Sequence, residues 1–182
     1  MKTPVEQVKE FHEAAGQPIR TELTTPSLKE IKFREAFKLE EMIEGMEAIF
    51  ETNNYVPTVI IDMLKEAKLY LENYLEEPDI NLDFKEHADS LFDLQYIING
   101  ECLLYGYDMD KLREEGHNTN MTRFCYTDKD LEDTLRAADA EGVDVVVERI
   151  EHLGLSVVKR KDSGKVYKNV NHVKPDFSKC FN

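Results

Sequence analysis

Nowhere in this chain do about 20 apolar residues run together, and that absence excludes a membrane-spanning helix as an organising element. Positive charge is also in short supply: 23 Lys and Arg stand against 37 Asp and Glu, giving a formal net charge of -14 at pH 7. A surface of that sign repels phosphate backbones and anionic headgroups, which argues against generic binding to DNA, RNA or an anionic membrane. A small phosphorylated ligand is still allowed where a metal ion and local Lys or Arg bridge it. Cysteine is sparse, since Cys102, Cys125 and Cys180 are odd in number, widely spaced and without a CxxC pair. They read as free thiols of a reducing compartment, not as a disulfide frame or a zinc site. The first residues, Met1-Lys2-Thr3-Pro4-Val5-Glu6, lack the apolar run of a signal peptide, so a soluble, cytoplasmic protein is expected. No internal repeat or low-complexity tract is visible, and 182 residues suit one domain with a sizeable core.

What the chain does contain is helical periodicity. Residues 4–15 space Val5, Val8 and Phe11 along one face, and Gly16-Gln17-Pro18 ends that helix. A second helix is expected from about Ser27 to Glu51, opened by Ser27 with Glu30 completing a capping box and broken at Asn53-Asn54. Pro57 suits the first turn of a third, whose Ile60, Met63, Leu64, Ala67, Leu71, Tyr74 and Leu75 recur at three and four, with Glu76-Glu77-Pro78-Asp79 as its end. A fourth runs from about Asp83 to Tyr105 and stops at Gly106, and a short one from about Met109 to Glu115 leads into Gly116-His117. Beyond Arg123 the pattern changes: a polar helix over Asp128 to Glu141 precedes two β-branched runs, at 143–147 and 155–160. They predict a hairpin through Leu153-Gly154, followed by the turn Asp162-Ser163-Gly164 and an extended piece at 165–168. The reading is a mainly α chain, one helical domain over 1–182 with a small α/β insertion at 125–168.

The chemistry is carried by acids set into helices. Glu86, Asp89 and Asp93 lie at i, i+3 and i+7, within about 60° on one helical face, and that line continues to Ile97, Gly100 and Leu104. On the earlier helix, Phe33, Ala36, Phe37, Ile43 and Phe50 form an apolar stripe into which Glu40, Glu44 and Glu47 are inserted, with Glu41 beside them. Carboxylates pointing inward without partners are costly. A divalent cation between the two helices neutralises them, and oxygen ligands suit Mg²⁺ or Mn²⁺. Asn120 and Arg123 lie three apart, placed to reach one ligand, and arginine offers a permanently charged fork for phosphate oxygens. Lys165 and Lys168 follow a glycine turn and add charge there, while Tyr96, one turn past Asp93, is placed to flank a base or sugar.

Taken in order, Glu40-Glu41-x-x-Glu44, Asp89-x-x-x-Asp93-Leu94-x-Tyr96, Gly106, His117-x-x-Asn120-Met121-Thr122-Arg123, Gly164-Lys165-Val166-x-Lys168 and Pro175-Asp176-Phe177 resemble the phosphoribosyl-ATP pyrophosphohydrolase-like proteins. These belong to the MazG-like, all-α nucleoside triphosphate pyrophosphohydrolase superfamily. The resemblance runs over nearly the whole chain. It implies a dimeric or tetrameric helical enzyme that uses Mg²⁺ to split an α–β phosphoanhydride into nucleoside monophosphate and pyrophosphate. In that superfamily the metal ligands come from EExxE and a later ExxD. Glu41 and Glu44 match the first, and Asp93 matches the last acid of the second through its Leu94-x-Tyr96 context. The chain departs at Ser90, where glutamate is usual; either Asp89 or Glu86 replaces it, or Glu86-x-x-Asp89 is itself the ExxD. Arg123 stands where lysine is more usual, which keeps the charge and alters its geometry.

On this reading metal ions held by Glu41, Glu44 and the Asp89/Asp93 pair neutralise the triphosphate, Glu40 serves the attacking water, and Arg123 with Asn120, Lys165 or Lys168 takes up charge on the leaving pyrophosphate. Two alternatives stand beside it. One is a binding module that keeps scaffold and metal but senses a nucleotide without hydrolysing it. The other is a structural acidic bundle whose carboxylates pair with lysines.

Overall fold

The computed structural model describes residues 2–50, 55–73 and 82–181. Asn53-Asn54 and Glu76-Glu77-Pro78-Asp79, read above as helix breaks, lie outside those residues. The described chain is mainly helical, with α1 (Pro4–Ala15), α2 (Leu28–Ile49), α3 (Tyr55–Asn73), α4 (Phe84–Tyr105), α5 (Met109–Met121) and α6 (Asp128–Ala140), joined by one antiparallel pair, β1 (Val145–Ile150) and β2 (Leu155–Arg160). It divides into two compact units, Glu22–His87 and a second made of Met1–Thr21 with Ala88–Asn182. Among the described residues no helix is long and apolar enough to cross a membrane.

In the unit Glu22–His87, α2 starts where its sequence says it should. Ser27 Oγ accepts from the Glu30 amide while the Glu30 carboxylate accepts from the Ser27 amide, a reciprocal box that satisfies two otherwise orphaned donors. Helices α2 and α3 pack on one another, with Ala36 and Ile43 of α2 and Ile61 of α3 buried. Lysines of α3 bridge to acids of α2, Lys65 to Glu47 at 2.6 Å and Lys68 to Glu40 at 3.4 Å.

The second unit has the larger core. Ala14 and Ala15 at the end of α1 meet Phe124, Ile150, Leu155 and Val157, with Phe11, Met121, Leu153 and Val166 packed around them. The rings of Phe11 and Phe124 stand 5.3 Å apart. Helix α1 ends on Gly16 at φ 61°, a left-handed position suited to glycine, and a Cβ there would come 2.5 Å from Lys159 Nζ. Strand β2 is buried along Leu155–Val158 and contacts both α1 and α6, whereas β1 is mostly exposed. Its register pairs Val145 with Arg160 and Ile150 with Leu155, closed by a 3₁₀ turn at Glu151–Leu153.

Two boundaries differ from the periodicity reading. Helix α5 runs through Gly116 to Met121 instead of stopping near Glu115, which puts Asn120 in its last turn. An interior glycine costs about 1 kcal/mol, and tertiary contacts offset it: Arg113 Nε donates to Gln7 at 3.0 Å, His117 Nε2 meets Glu10 at 3.0 Å, and Gly116 lies against the Phe177 ring. Strand β1 begins at Val145, two residues later than the β-branched run suggests, and continues through Glu148 and Arg149 because β2 supplies the ladder there.

The C-terminal segment is fastened by buried amide chemistry. Asn169 Nδ2 donates to the Phe124 carbonyl at 3.0 Å and its Oδ1 accepts from the Asn171 amide at 2.9 Å, while its backbone amide donates to the Arg123 carbonyl at 3.0 Å. Thr134, fully buried in α6, donates to Asn169 Oδ1 at 3.4 Å and accepts from the Val170 amide at 3.3 Å. Asn169→Ala removes the donor to the buried Phe124 carbonyl and the acceptor for the Thr134 hydroxyl proton. It is expected to lower stability by about 2–4 kcal/mol, measured as the shift in urea midpoint of the far-UV signal, with no loss beyond about 0.5 kcal/mol refuting the clasp.

Candidate functional site

The acidic side chains fall into two settings. On α2, Glu40 is half-buried beside Lys68 and Glu47 pairs with Lys65, while Glu41 and Glu44 are exposed. The lysines respond to that company: Lys68 titrates above the ordinary lysine value, first through its hydrogen bond to Glu72 and then through Glu40, and Lys65 is raised by its hydrogen bond to Glu47. So Glu40 and Glu47 do not enter an apolar stripe alone; their countercharges come from the neighbouring helix.

On α4 the inward reading of the acids is not met within one chain. Glu86, Asp89 and Asp93 are all exposed, and no residue of this helix is buried. The apolar residues that continue their line are exposed as well, Ile97 at 63% and Leu104 at 80%. Tyr96 is 71% exposed, its ring 6.1 Å from that of Phe92. Glu40, Glu41, Glu44 and Glu86 lie in the unit Glu22–His87, whereas Asp89, Asp93 and Tyr96 lie in the other. Among the described residues no group of three or more His, Cys, Asp and Glu side chains is gathered as a metal cluster.

The basic residues Arg123, Lys165 and Lys168 all belong to the second unit. Arg123 follows the last turn of α5, its amide donating to the Asn120 carbonyl at 3.1 Å, so both residues sit where the helix ends. Gly164, at φ 69°, turns the chain after β2 so that the Lys165 carbonyl accepts from the Arg160 amide at 2.9 Å and Val166 bridges to Lys159. Lys165 and Lys168 are exposed. Burial, then Lys168, then Arg123 hold the His172 imidazole below the ordinary histidine value. The sequence reading does not include His172, since nothing local marks it; it reaches Thr122 across 50 positions through a 2.8 Å contact at Nδ1.

The remaining candidates are structural. His117 and Lys2 both bond to Glu10, whose carboxyl is held below its ordinary value first by Lys2 and also by His117. Cys125 and Cys180 are buried and Cys102 half-buried, all as free thiols, and burial pushes the Cys125 thiol up, away from thiolate chemistry.

Comparison with protein-family models, with curated proteins and with solved structures finds no match for this chain.

Proposed function

We propose that the protein is a Mg²⁺-dependent nucleoside triphosphate pyrophosphohydrolase of MazG-like type, cleaving the α–β phosphoanhydride. The observation that carries this reading is the ordered set of motifs, EExxE on α2, Asp89 to Tyr96 on α4 and Asn120 to Arg123 at the end of α5, followed by Lys165 and Lys168. The donor chemistry fits a hard divalent cation, because Glu44, Asp89, Asp93 and Glu86 are exposed carboxylates and hard cations take oxygen ligands. Glu41 and Glu44 with Asp93, and either Asp89 or Glu86, would hold it. When bound, Mg²⁺ supplies charge neutralisation to the triphosphate and acidifies water.

The chain's own groups supply the rest. Attack of water on the α-phosphorus forms one P–O bond and breaks the bond to the bridging oxygen, whose electron pair leaves with pyrophosphate. Glu40 accepts the proton of the attacking water, exchanging its contact with Lys68 for that role. Arg123, with Asn120, Lys165 and Lys168, stabilises the charge that builds on the leaving group. Tyr96 offers an exposed ring for the base. A second reading, a nucleotide sensor that does not turn over, is favoured by Ser90 in place of the expected acid.

The reading also includes a homo-oligomer, dimer or tetramer. Helix α4 spans 22 residues with none buried, and Leu91, Phe92, Leu94, Ile97, Ile98, Leu103 and Leu104 are all exposed on it. So wide an apolar surface on one helix supports that reading, because each Å² removed from water contributes about 25 cal/mol. The unit Glu22–His87 adds an open apolar groove of about 610 Å³ lined by Leu39, Met63, Ala67, Tyr70 and Leu71.

A screen of nucleoside triphosphates with Mg²⁺ is expected to release pyrophosphate and not phosphate. Nucleotide-induced thermal stabilisation without any product would move the assignment to the sensor. Glu44→Ala and Asp93→Ala are each expected to lower turnover by more than about 100-fold, and near-parental activity in either variant removes that residue from the site. Arg123→Ala should lower kcat/KM by well over tenfold, about 2 kcal/mol of transition-state stabilisation, with Arg123→Lys recovering part of it. Light scattering at micromolar concentration is expected to give at least a dimer, and Leu91→Lys with Ile98→Lys to yield a monomer; a parental chain that is itself monomeric refutes the assembly.

A further inference from the structure

We propose that His172 is a phosphate-binding residue, its Nε2 completing with Arg123 and Lys168 a site for a pyrophosphate-class anion. The tautomer follows from hydrogen-bond capacity. Thr122 Oγ1 has one proton and gives it to the Thr119 carbonyl at 2.7 Å, so in the 2.8 Å contact with His172 it is Nδ1 that donates. Nε2 is then the nitrogen left for other work, and it has no hydrogen-bond partner among the described residues.

The ring is fixed in place. The His172 amide donates to the Asn169 carbonyl at 2.8 Å, the Asn169 amide donates to the Arg123 carbonyl at 3.0 Å, and the Val173 amide donates to Thr122 Oγ1 at 3.4 Å. Three of the bonds named, from the Asn169 amide, the Val173 amide and His172 Nδ1, thus tie the segment carrying Lys168 and His172 to the turn carrying Arg123. Such placement needs little reorganisation to receive a ligand.

Charge gives the second argument. In a chain of net charge -14, the charged groups that act on this imidazole are Lys168 and Arg123, both positive. The Asp130 carboxylate of α6 is bound by Asn171 Nδ2 at 3.0 Å. Like charges gathered at a fixed ring cost stability, and an anion between them reverses the sign of that cost. Arginine contributes a fork, lysine a point charge, and a protonated Nε2 a third donor, a set matched to the several oxygens of pyrophosphate. A nucleic acid backbone is excluded by the acidity of the whole chain. The proposal deepens the pyrophosphohydrolase reading, but the site does not need turnover to be detected.

The test is calorimetric titration of the full chain with inorganic pyrophosphate, without divalent cation, at pH 6 and pH 8, comparing parent and His172→Ala. The ligand's own titration is common to both proteins and cancels in their ratio. At pH 6 the variant is expected to bind about tenfold more weakly; at pH 8, where the ring is neutral, the two are expected to converge. Equal affinities at both pH values overturn the proposal, as does undetectable binding to the parent. Should His172→Ala fold poorly, the imidazole of the parent is followed by ¹⁵N-detected NMR: its titration midpoint is expected to rise with saturating pyrophosphate, and an unchanged midpoint overturns the claim. Because no nucleotide is hydrolysed in these measurements, an inactive protein that binds pyrophosphate would refute the enzyme reading alone.

Discussion

The carboxamide of Asn169 is the fastening on which the unit Met1–Thr21 with Ala88–Asn182 depends. One side chain satisfies the Phe124 carbonyl, the Thr134 hydroxyl and the Asn171 amide, in a place where water cannot substitute. Phe124 is wholly buried in the apolar cluster with Ala14, Val157 and Leu155, so the same residue joins that core to the returning C-terminal chain. An apolar residue of similar size would leave those groups unpaired, and a carboxylate would place an acceptor against a carbonyl. Asparagine, with donor and acceptor on one planar group, meets both demands. Lys168 and His172 inherit their positions from it, since they flank the residues it pins.

A different constraint governs α4. Its acids and its apolar residues share a helix with no buried position, so its sequence is not explained by packing within one chain. Hydrophobic periodicity states which faces need cover and is silent on who supplies it; a second copy of the chain answers the same pattern as an internal core. Leu103 and Leu104 are among the apolar residues that this helix leaves exposed.

Much of the fold is legible locally. Ser27 with Glu30 is a self-contained start signal and α2 begins there; Gly16 and Gly106 end their helices in left-handed geometry; the β-branched run at 155–160 is a strand. What is not legible depends on partners far along the chain. Helix α5 outlasts Gly116 because Gln7 and Glu10 hold Arg113 and His117, and β1 is positioned by β2 and not by its own valines. The candidate site divides the same way. Arg123 and Lys168 are visible as charges in a motif, whereas His172 gains meaning only from a contact with Thr122 across 50 residues. For the acids, residue type and spacing are plain in the sequence, but the lysines that compensate Glu40 and Glu47 sit on another helix.

Those lysines bear on which carboxylates are left for chemistry. A partly exposed ion pair contributes at most about 1 kcal/mol, so the contact of Glu40 with Lys68 stabilises the helix pair only weakly. Glu44, one turn further on, lies exposed. The two acids of the one motif thus differ in setting: Glu40 has a lysine of α3 at hand, and Glu44 lies exposed. Spacing alone makes them equivalent. The helix packed beside them is what separates their settings.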